Sequence, residues 1–370
     1  MKVGILTMSY RRNYGGVLQS YALFKTIEGM GHDVEIIDFE YDSLDNKHFI
    51  TRIKEAPYAI LKKMGFRRHR EPLKQTRELP DEHIAAFKEF KNKFIKYSKT
   101  VKNSDILTIV NNYNVIVVGS DQVWNNVEGK QLYYFFDFGK SFKGRKVSYA
   151  PCAVHESVPF YNRRKLCKLL SKVDSLSVRD QTTANMVKQI SSLDAKIVLD
   201  PTCLYSFSDF SSTHPIIEGD YIFAYILGSE IKGGHKNIIQ KINDKYGAMK
   251  VIAAIIPNVA LEVEKFADKV MYNATPADWV NLIAHSKFVY TDSFHGCMFA
   301  MKYHKPFFAY YKDANRSSRL RDIKEQYGLH NIFMSGEDYA ISDVDYTEVD
   351  SLMEQKREES IMFLKSALLK

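Results

Sequence analysis

The 370-residue sequence predicts an α/β protein made of two similar parallel-sheet domains facing each other across a cleft. Three observations predict it. The chain is too long for one ordinary core. Short apolar runs alternate with helical patterns, as in a parallel sheet covered by helices on its faces. The second half repeats the strand-loop-helix order of the first, with no repeat of fixed period. The expected domains are residues 1–205, with a basic helical insertion at about 41–110, then residues 206–345, then an amphipathic helix at 346–370.

The first domain opens with strand "KVGILTM", loop "SYRRNYGG", helix "VLQSYALFKTIEGM" and strand "VEIIDF". From Tyr41 to about Val110 the chain turns basic and polar, with a helical pattern in "DEHIAAFKEFKNKFIKYS". The sheet resumes at "YNVIVVGSDQVWN", where the apolar run before Gly119 suits a strand buried on both faces. "RKVSYAP", a helix from about Tyr161 to Val173, "DSLSVRD", a further helix and "KIVLDPT" follow. Tyr205 to Asp220, "YSFSDFSSTHPIIEGD", is rich in Ser, Pro and Gly and reads as a linker.

Beyond it come strand "DYIFAYILG", helix "HKNIIQKINDKYG" and strand "KVIAAI". "TPADWVNLIAHS" carries a full helix start, with Thr275 as N-cap, Pro276 at the first helical position and Asp278 closing a capping box. "KFVYT" and "KPFFAYY" supply more strand. Val349, Met353, Ile361, Leu364 and Leu368 fall near helical spacing and predict a closing amphipathic helix.

Composition, 45% hydrophobic and 26% charged, is that of a soluble globular protein. No apolar stretch approaches the roughly 20 residues of a membrane span. The opening segment has too short an apolar core for a signal peptide, so a cytoplasmic protein is expected. The four cysteines show no ligand spacing, which points to reduced thiols and no metal site. Lys and Arg exceed Asp and Glu, 52 against 44. The excess is partly local: "LKKMGFRRHREPLKQTR", Leu61 to Arg77, has one acid, Glu71. Such a stretch is either a solvated loop or a peripheral contact with an anionic membrane. No nucleic-acid module accompanies it, so no nucleic-acid partner is expected.

Ligands of parallel α/β sheets bind at the carboxyl ends of strands, and four loops there carry unusual chemistry. In "SYRRNYGGVLQSYA", Gly15 and Gly16 precede a helix start that favours an anion. Asn13 either caps that helix or bonds a ligand. In "VVGSDQVWN", Asp121 either caps the next helix or binds, and Trp124 is of the kind that grips a sugar ring. Arg179 in "SLSVRD" offers a fork for carboxylate or phosphate, or pairs with Asp180 or Asp174.

The fourth loop, "TDSFHG", places His295 where a buried strand becomes a helix, expected to begin near Cys297 with Ser293 or Asp292 as cap. Gly296 would let something approach the backbone. Downstream, "DANRSSRLRD" puts Arg316, Arg319 and Arg321 at a loop-to-helix edge, as solvated surface or as an anion clamp.

"NYGGVLQSYAL", "VVGSDQVWN", "SYAP", "SVRD", "VLDPT" and "TDSFHG" occur in the order of the polysaccharide pyruvyl transferase family, which the chain resembles over roughly residues 3 to 330. The resemblance implies a glycosyltransferase-B-like pair of Rossmann-like domains. It also implies pyruvate transfer from phosphoenolpyruvate onto two hydroxyls of a sugar in a capsule, exopolysaccharide or cell-wall precursor, often lipid-linked, with no cofactor. His295 matches the family's motif histidine and Arg179 the arginine of its "S-x-R" segment, both implied to engage the donor. One departure stands out. Many members carry arginine two residues before that histidine, where this chain has Ser293, so either another arginine, Arg316 or Arg319, reaches in, or this branch uses a different donor. The implied site is His295 as acid/base, Arg179, Arg316 and Arg319 on the donor, and Asn13, Gly15, Gly16, Asp121, Asp292 and Ser293 around it. Two rival readings are a nucleotide-sugar glycosyltransferase in the same cleft and a non-catalytic scaffold of polysaccharide assembly.

Overall fold

Strands that are apolar on both faces need cover on both sides, and helices supply it here. The computed structural model describes residues 1–8, 13–40, 80–125, 127–139, 142–154, 157–228, 231–254, 261–312 and 318–369. The first half contains β1 (Lys2–Leu6), β2 (Asp33–Ile36), the short pair β3 (Phe39–Glu40) and β4 (Val101–Lys102), then β5 (Val115–Val118), β6 (Arg145–Ser148), β7 (Ser175–Val178) and β8 (Lys196–Ile197). The six-stranded sheet is parallel and runs β2-β1-β5-β6-β7-β8.

The second half contains β9 (Tyr221–Tyr225), β10 (Lys250–Ala254), β11 (Lys269–Met271), β12 (Phe288–Thr291), β13 (Phe307–Tyr311) and β14 (Ile332–Met334). Its parallel sheet runs β11-β10-β9-β12-β13-β14, so here too the chain steps first to one side of the opening strand and then to the other. This is a pair of Rossmann-like sheets. β5, β9, β12 and β13 are buried along their whole length.

The flanking helices are α1 (Tyr14–Gly29), α2 (Asp81–Phe94), α3 (Phe160–Leu170), α4 (Gln181–Ser191), α5 (His235–Tyr246), α6 (Pro276–His285), α7 (Phe294–Lys302), α8 (Ser318–Gln326) and α9 (Tyr346–Leu369). At α6 the capping box forms as expected: Thr275 Oγ1 accepts from the Asp278 amide, and the Asp278 carboxylate accepts from the Thr275 amide. α3 ends three residues before the expected Val173. The edge strands β11 and β14 are new, too short to show a period in sequence.

The helix after the basic stretch, the expected linker and the closing helix are each tied to the body of the protein. The basic stretch Leu61–Arg77 lies outside the described residues, but α2 is packed into the core, Phe87 on Tyr14 at 4.9 Å and Phe90 on Tyr21 at 5.6 Å. The expected linker is pinned: the Asn281 side chain donates to Thr213 Oγ1 at 2.8 Å and accepts from the Ile216 amide at 3.1 Å. α9 ties the halves together. Tyr346 donates to the Lys305 carbonyl at 2.6 Å, and Ser360 Oγ accepts from the Leu199 amide at 2.9 Å.

α1 is the join. It is buried nearly all round, as a helix between two packed layers must be. At its first turn the Tyr14 ring stacks on Trp279 of α6 at 6.0 Å and meets Tyr225 of β9 at 5.8 Å, while its hydroxyl donates to the Ala274 carbonyl at 3.0 Å. One apolar cluster therefore runs from β1 to β9 through α1 and α6. Tyr14→Ala should lower stability by about 3–5 kcal/mol, the usual cost of deleting a buried aromatic ring. Tyr14→Phe, which removes only the hydroxyl, should cost about 1 kcal/mol. Urea denaturation reads both, and a near-wild-type Tyr14→Ala would show that the halves are not joined here.

Candidate functional site

Strand order reverses beside the first strand of each sheet, between β1 and β5 and between β9 and β12. Crevices open at such switch points, beyond the carboxyl ends of the strands. α1 follows β1, and α7 follows β12, so the two helix starts belong to the two switch points. They touch. A Cβ built on Gly15 would lie 2.1 Å from His295 Nδ1, so only glycine admits the imidazole there. His295 is 5% exposed.

The turn that carries His295 is a capped one, with a different division of labour from that expected. α7 begins at Phe294, not near Cys297, and Ser293 is its N-cap, Oγ accepting from the Gly296 amide at 3.4 Å. Asp292 instead accepts from the Leu227 amide beyond β9, bridging the two central strands at the switch point. Gly296 admits no outside group. Its missing Cβ would meet Thr291 Oγ1 at 2.3 Å, and that hydroxyl donates to the Tyr225 carbonyl at 2.6 Å. On the other helix, Asn13 caps α1 by accepting from the Gly16 amide at 3.1 Å. A Cβ at Gly16 would make only ordinary contacts, with Asn13 atoms at 3.9 Å.

Arg179 leaves the end of β7 and is 7% exposed. It donates to Asp200 Oδ2 at 2.8 Å, to Asp121 Oδ1 at 3.2 Å and to Cys152 Sγ at 2.7 Å, with its guanidinium 4.4 Å from the centre of the Phe294 ring. Its direct partners are not Asp180 or Asp174. Asp180 caps α4 through the Thr183 amide at 2.8 Å, and Asp174 accepts from the Lys146 amide at 2.8 Å. Asp121 thus pairs with Arg179 rather than capping a helix. Arg319, on α8, stands 3.9 Å from Asp121 and 5.8 Å from the Phe294 ring centre, with 28% of its side chain exposed. Arg316, Arg11 and Arg12 lie outside the described residues.

Asp200, at the end of "KIVLDP", is a site residue that sequence reading passed over. Its Oδ1 accepts from the Thr202 amide and hydroxyl, an ordinary turn cap. Its Oδ2 faces Arg179 and stands 3.7 Å from His295 Nε2, beyond hydrogen-bond length. Burial by itself would raise this carboxyl, but the imidazole of His295 and the guanidinium of Arg179 outweigh burial and hold it below the ordinary range. Asp121 is held low in the same way, with burial opposed by Arg179, His295 and Arg319. Burial pushes the Cys152 thiol up to about 12, so it is a neutral donor or acceptor and not a nucleophile. Phe294, the platform under both guanidinium groups, carried no signal beyond being apolar. Trp124 is core: fully buried, stacked on Phe135 at 4.9 Å, with its indole donating to the Tyr134 carbonyl at 2.8 Å.

The chemistry of the cluster follows. His295 Nε2 is buried with no hydrogen-bond partner among the described residues. Beside it are two guanidinium groups and the starts of two helices, all of which favour an arriving anion.

Known proteins share this architecture. The UDP-GlcNAc 2-epimerase from Methanocaldococcus jannaschii is similar with a TM-score of 0.50 and 11% identity, over 96% of this chain and 93% of that one. The same enzyme in complex with UDP-GlcNAc and UDP gives 0.47 and 12%, over 96% and 93%. The Neisseria meningitidis UDP-GlcNAc 2-epimerase bound to UDP-GlcNAc gives 0.45 and 11%, over 100% and 95%. At that identity the likeness to the first of these shows the fold alone, in agreement with the two parallel sheets described above: two Rossmann-like domains of glycosyltransferase-B type. No curated protein sequence matches the chain. The family model described as polysaccharide pyruvyl transferase matches residues 13–313, from the cap of α1 through α7 and β13, and the chain therefore belongs to that family, as an enzyme of the pyruvyl-transfer type acting on a polysaccharide precursor.

Proposed function

We propose that the site takes phosphoenolpyruvate as donor and builds a cyclic ketal on two hydroxyls of one sugar in a cell-surface glycan precursor. The observation that carries this reading is the meeting of His295 with Arg179 and Arg319 at the switch points of both sheets. Phosphoenolpyruvate is small and multiply anionic, and it needs cations, backbone donors and one proton-transfer group.

The reaction balances as follows. A proton added to the methylene carbon makes it a methyl group and leaves the adjacent carbon electron-deficient. One sugar hydroxyl adds to that carbon and loses its proton. The second hydroxyl displaces phosphate from the same carbon, and its proton leaves with the phosphate. His295 is the group placed to deliver the first proton and to receive one from a hydroxyl.

The two arginines divide the work. The terminal nitrogens of Arg179 are engaged by Asp200, Asp121 and Cys152, leaving Nε without a partner among the described residues. Arg319 is the more exposed guanidinium, and its contact to Asp121 is long, at 3.9 Å. Ser293 is committed to its helix cap, so Arg319 supplies the charge that the family's usual arginine provides. Asn13, Gly15 and Gly16 present the start of α1 to the same anion, and Asp121 and Asp292 hold the loops in place. The acceptor is a free glycan or a lipid-linked saccharide; a lipid-linked one would place the enzyme at the inner face of a membrane. No helix among the described residues is long and apolar enough to cross a membrane.

His295→Ala should cut kcat by about 10²–10⁴-fold, the range for losing a positioned acid/base group, with an unchanged circular-dichroism spectrum. A loss of less than threefold would remove His295 from the mechanism. Arg319→Ala should raise the donor KM by about 10–100-fold, the equivalent of a hydrogen bond to a charged group, and leave kcat within a few fold. In a thermal-shift panel, phosphoenolpyruvate should raise the melting midpoint. A rise with nucleotide sugars and none with phosphoenolpyruvate would overturn the donor assignment.

A further inference from the structure

Arg179, Asp200, Phe294 and Arg319 also border a cavity of about 730 Å³, within the range of about 300–1,000 Å³ typical of small-molecule sites. The remaining wall includes Asp180 and Gln181 after β7, Asp322 and Gln326 on α8, and Gln355 on α9. Both halves of the chain and the closing helix therefore contribute to it. Four polar atoms of the lining residues are buried with no hydrogen-bond partner among the described residues: Arg179 Nε, Asp180 Oδ2, Asp322 Oδ2 and the Tyr327 hydroxyl. Arg179 and Asp180 are 7% and 8% exposed. An unpaired buried polar atom costs about 1–3 kcal/mol, and native folds keep few of them. Four residues of one cavity wall that each hold such an atom mark a place where a ligand supplies the partners.

The chemistry of the wall selects that ligand. A second anion would satisfy Arg179 but meet the carboxylates of Asp180, Asp200, Asp322, Glu325 and Glu359, and a cation would meet Arg179, Arg319, Lys196 and Lys356. A neutral polyol fits both, because each hydroxyl donates to a carboxylate and accepts from an N–H. The carboxamides of Gln181, Gln326 and Gln355 add the same dual capacity. We infer that this cavity binds a saccharide unit of the acceptor, with Asp180 and Asp322 accepting from its hydroxyls and Arg179 Nε donating to it. The assignment rests on the transferase reading above, since Arg179 borders donor and acceptor alike. Burial, reinforced by the charge of Asp180, pushes the Asp322 carboxyl up to about 6, as expected of an acid set where its hydrogen-bonding partner is still to arrive.

The test is saturation-transfer NMR with methyl glycosides of glucose, galactose, mannose, N-acetylglucosamine and N-acetylmannosamine at millimolar concentration. At least one should bind the wild-type protein, and Asp322→Ala should weaken it at least tenfold while the phosphoenolpyruvate melting shift persists. Should Asp322→Ala not fold, Asp322→Asn and Gln355→Ala serve instead, each expected to weaken binding at least threefold. Binding of no glycoside, or unchanged affinity in the variants, overturns the assignment. Glycoside binding without any phosphoenolpyruvate shift sinks the donor reading and leaves the cavity assignment standing; the converse result does the reverse.

Discussion

The structure depends on an approach that only an absent side chain permits. Gly15 opens α1 to the His295 ring, and the neighbouring Tyr14 locks the same turn onto Trp279 and Tyr225. The imidazole is therefore carried by one half of the chain and seated by the other. Its position is set by apolar packing a few ångströms away rather than by its own hydrogen bonds. Such packing resists small displacements, because interiors are close-packed and yield little. On the proposed reading, a proton-transfer group held that way keeps its nitrogen free for substrate, and Nε2 has no hydrogen-bond partner among the described residues.

The charges around it are arranged for orientation more than for stability. A buried guanidinium with two carboxylates recovers little net free energy beyond its desolvation cost, whereas losing one partner would cost about 3–5 kcal/mol. What the arrangement secures is geometry. Asp200 pins Arg179 from one side and faces His295 with the same oxygen, so loops from β7, β8 and β12 share one atom. Asp121 adds the loop of β5 and links Arg179 to Arg319. Four strand ends are thereby held in register by one network of charged side chains around the His295 ring.

Much of this was legible in sequence, and the reason for the rest is physical. Apolar runs such as "VIVV" identify a doubly covered strand because burial on both faces leaves no alternative, and Thr275, Pro276 and Asp278 mark a helix start because their chemistry is local. His295 and Arg179 stood out because polar groups at buried strand ends need partners. The partners themselves were hidden. Arg179 meets Asp121 58 residues away and Asp200 21 residues away, pairings fixed by strand order and not by spacing. Asp200 was masked by its own local role as a turn cap. Gly296 suggested an opening for a ligand, but the group that fills it is Thr291, five residues back, which no period predicts. Trp124 suggested a sugar platform from its neighbours, yet its ring is spent on Phe135 inside the core.

Ser293 gains a physical reason from the same geometry. With serine there, the start of α7 is closed by its own cap, and on the proposed reading the cation comes instead from α8, where Arg319 stands 5.8 Å from the centre of the Phe294 ring. Arg319 and Asp322 are three residues apart on that helix, so they project from one face, about one turn apart. On the proposed reading, one helix then offers a guanidinium to the donor and a carboxylate to the acceptor. Moving the cation from α7 to α8 therefore does more than restore a charge. It couples the placement of the two substrates, because any shift of α8 that draws Arg319 toward the donor carries Asp322 with it. A rigid element bearing both contacts aligns the reacting hydroxyl with the enol carbon more closely than two independent loops would, and alignment of that kind is where enzymes gain most of their effective concentration.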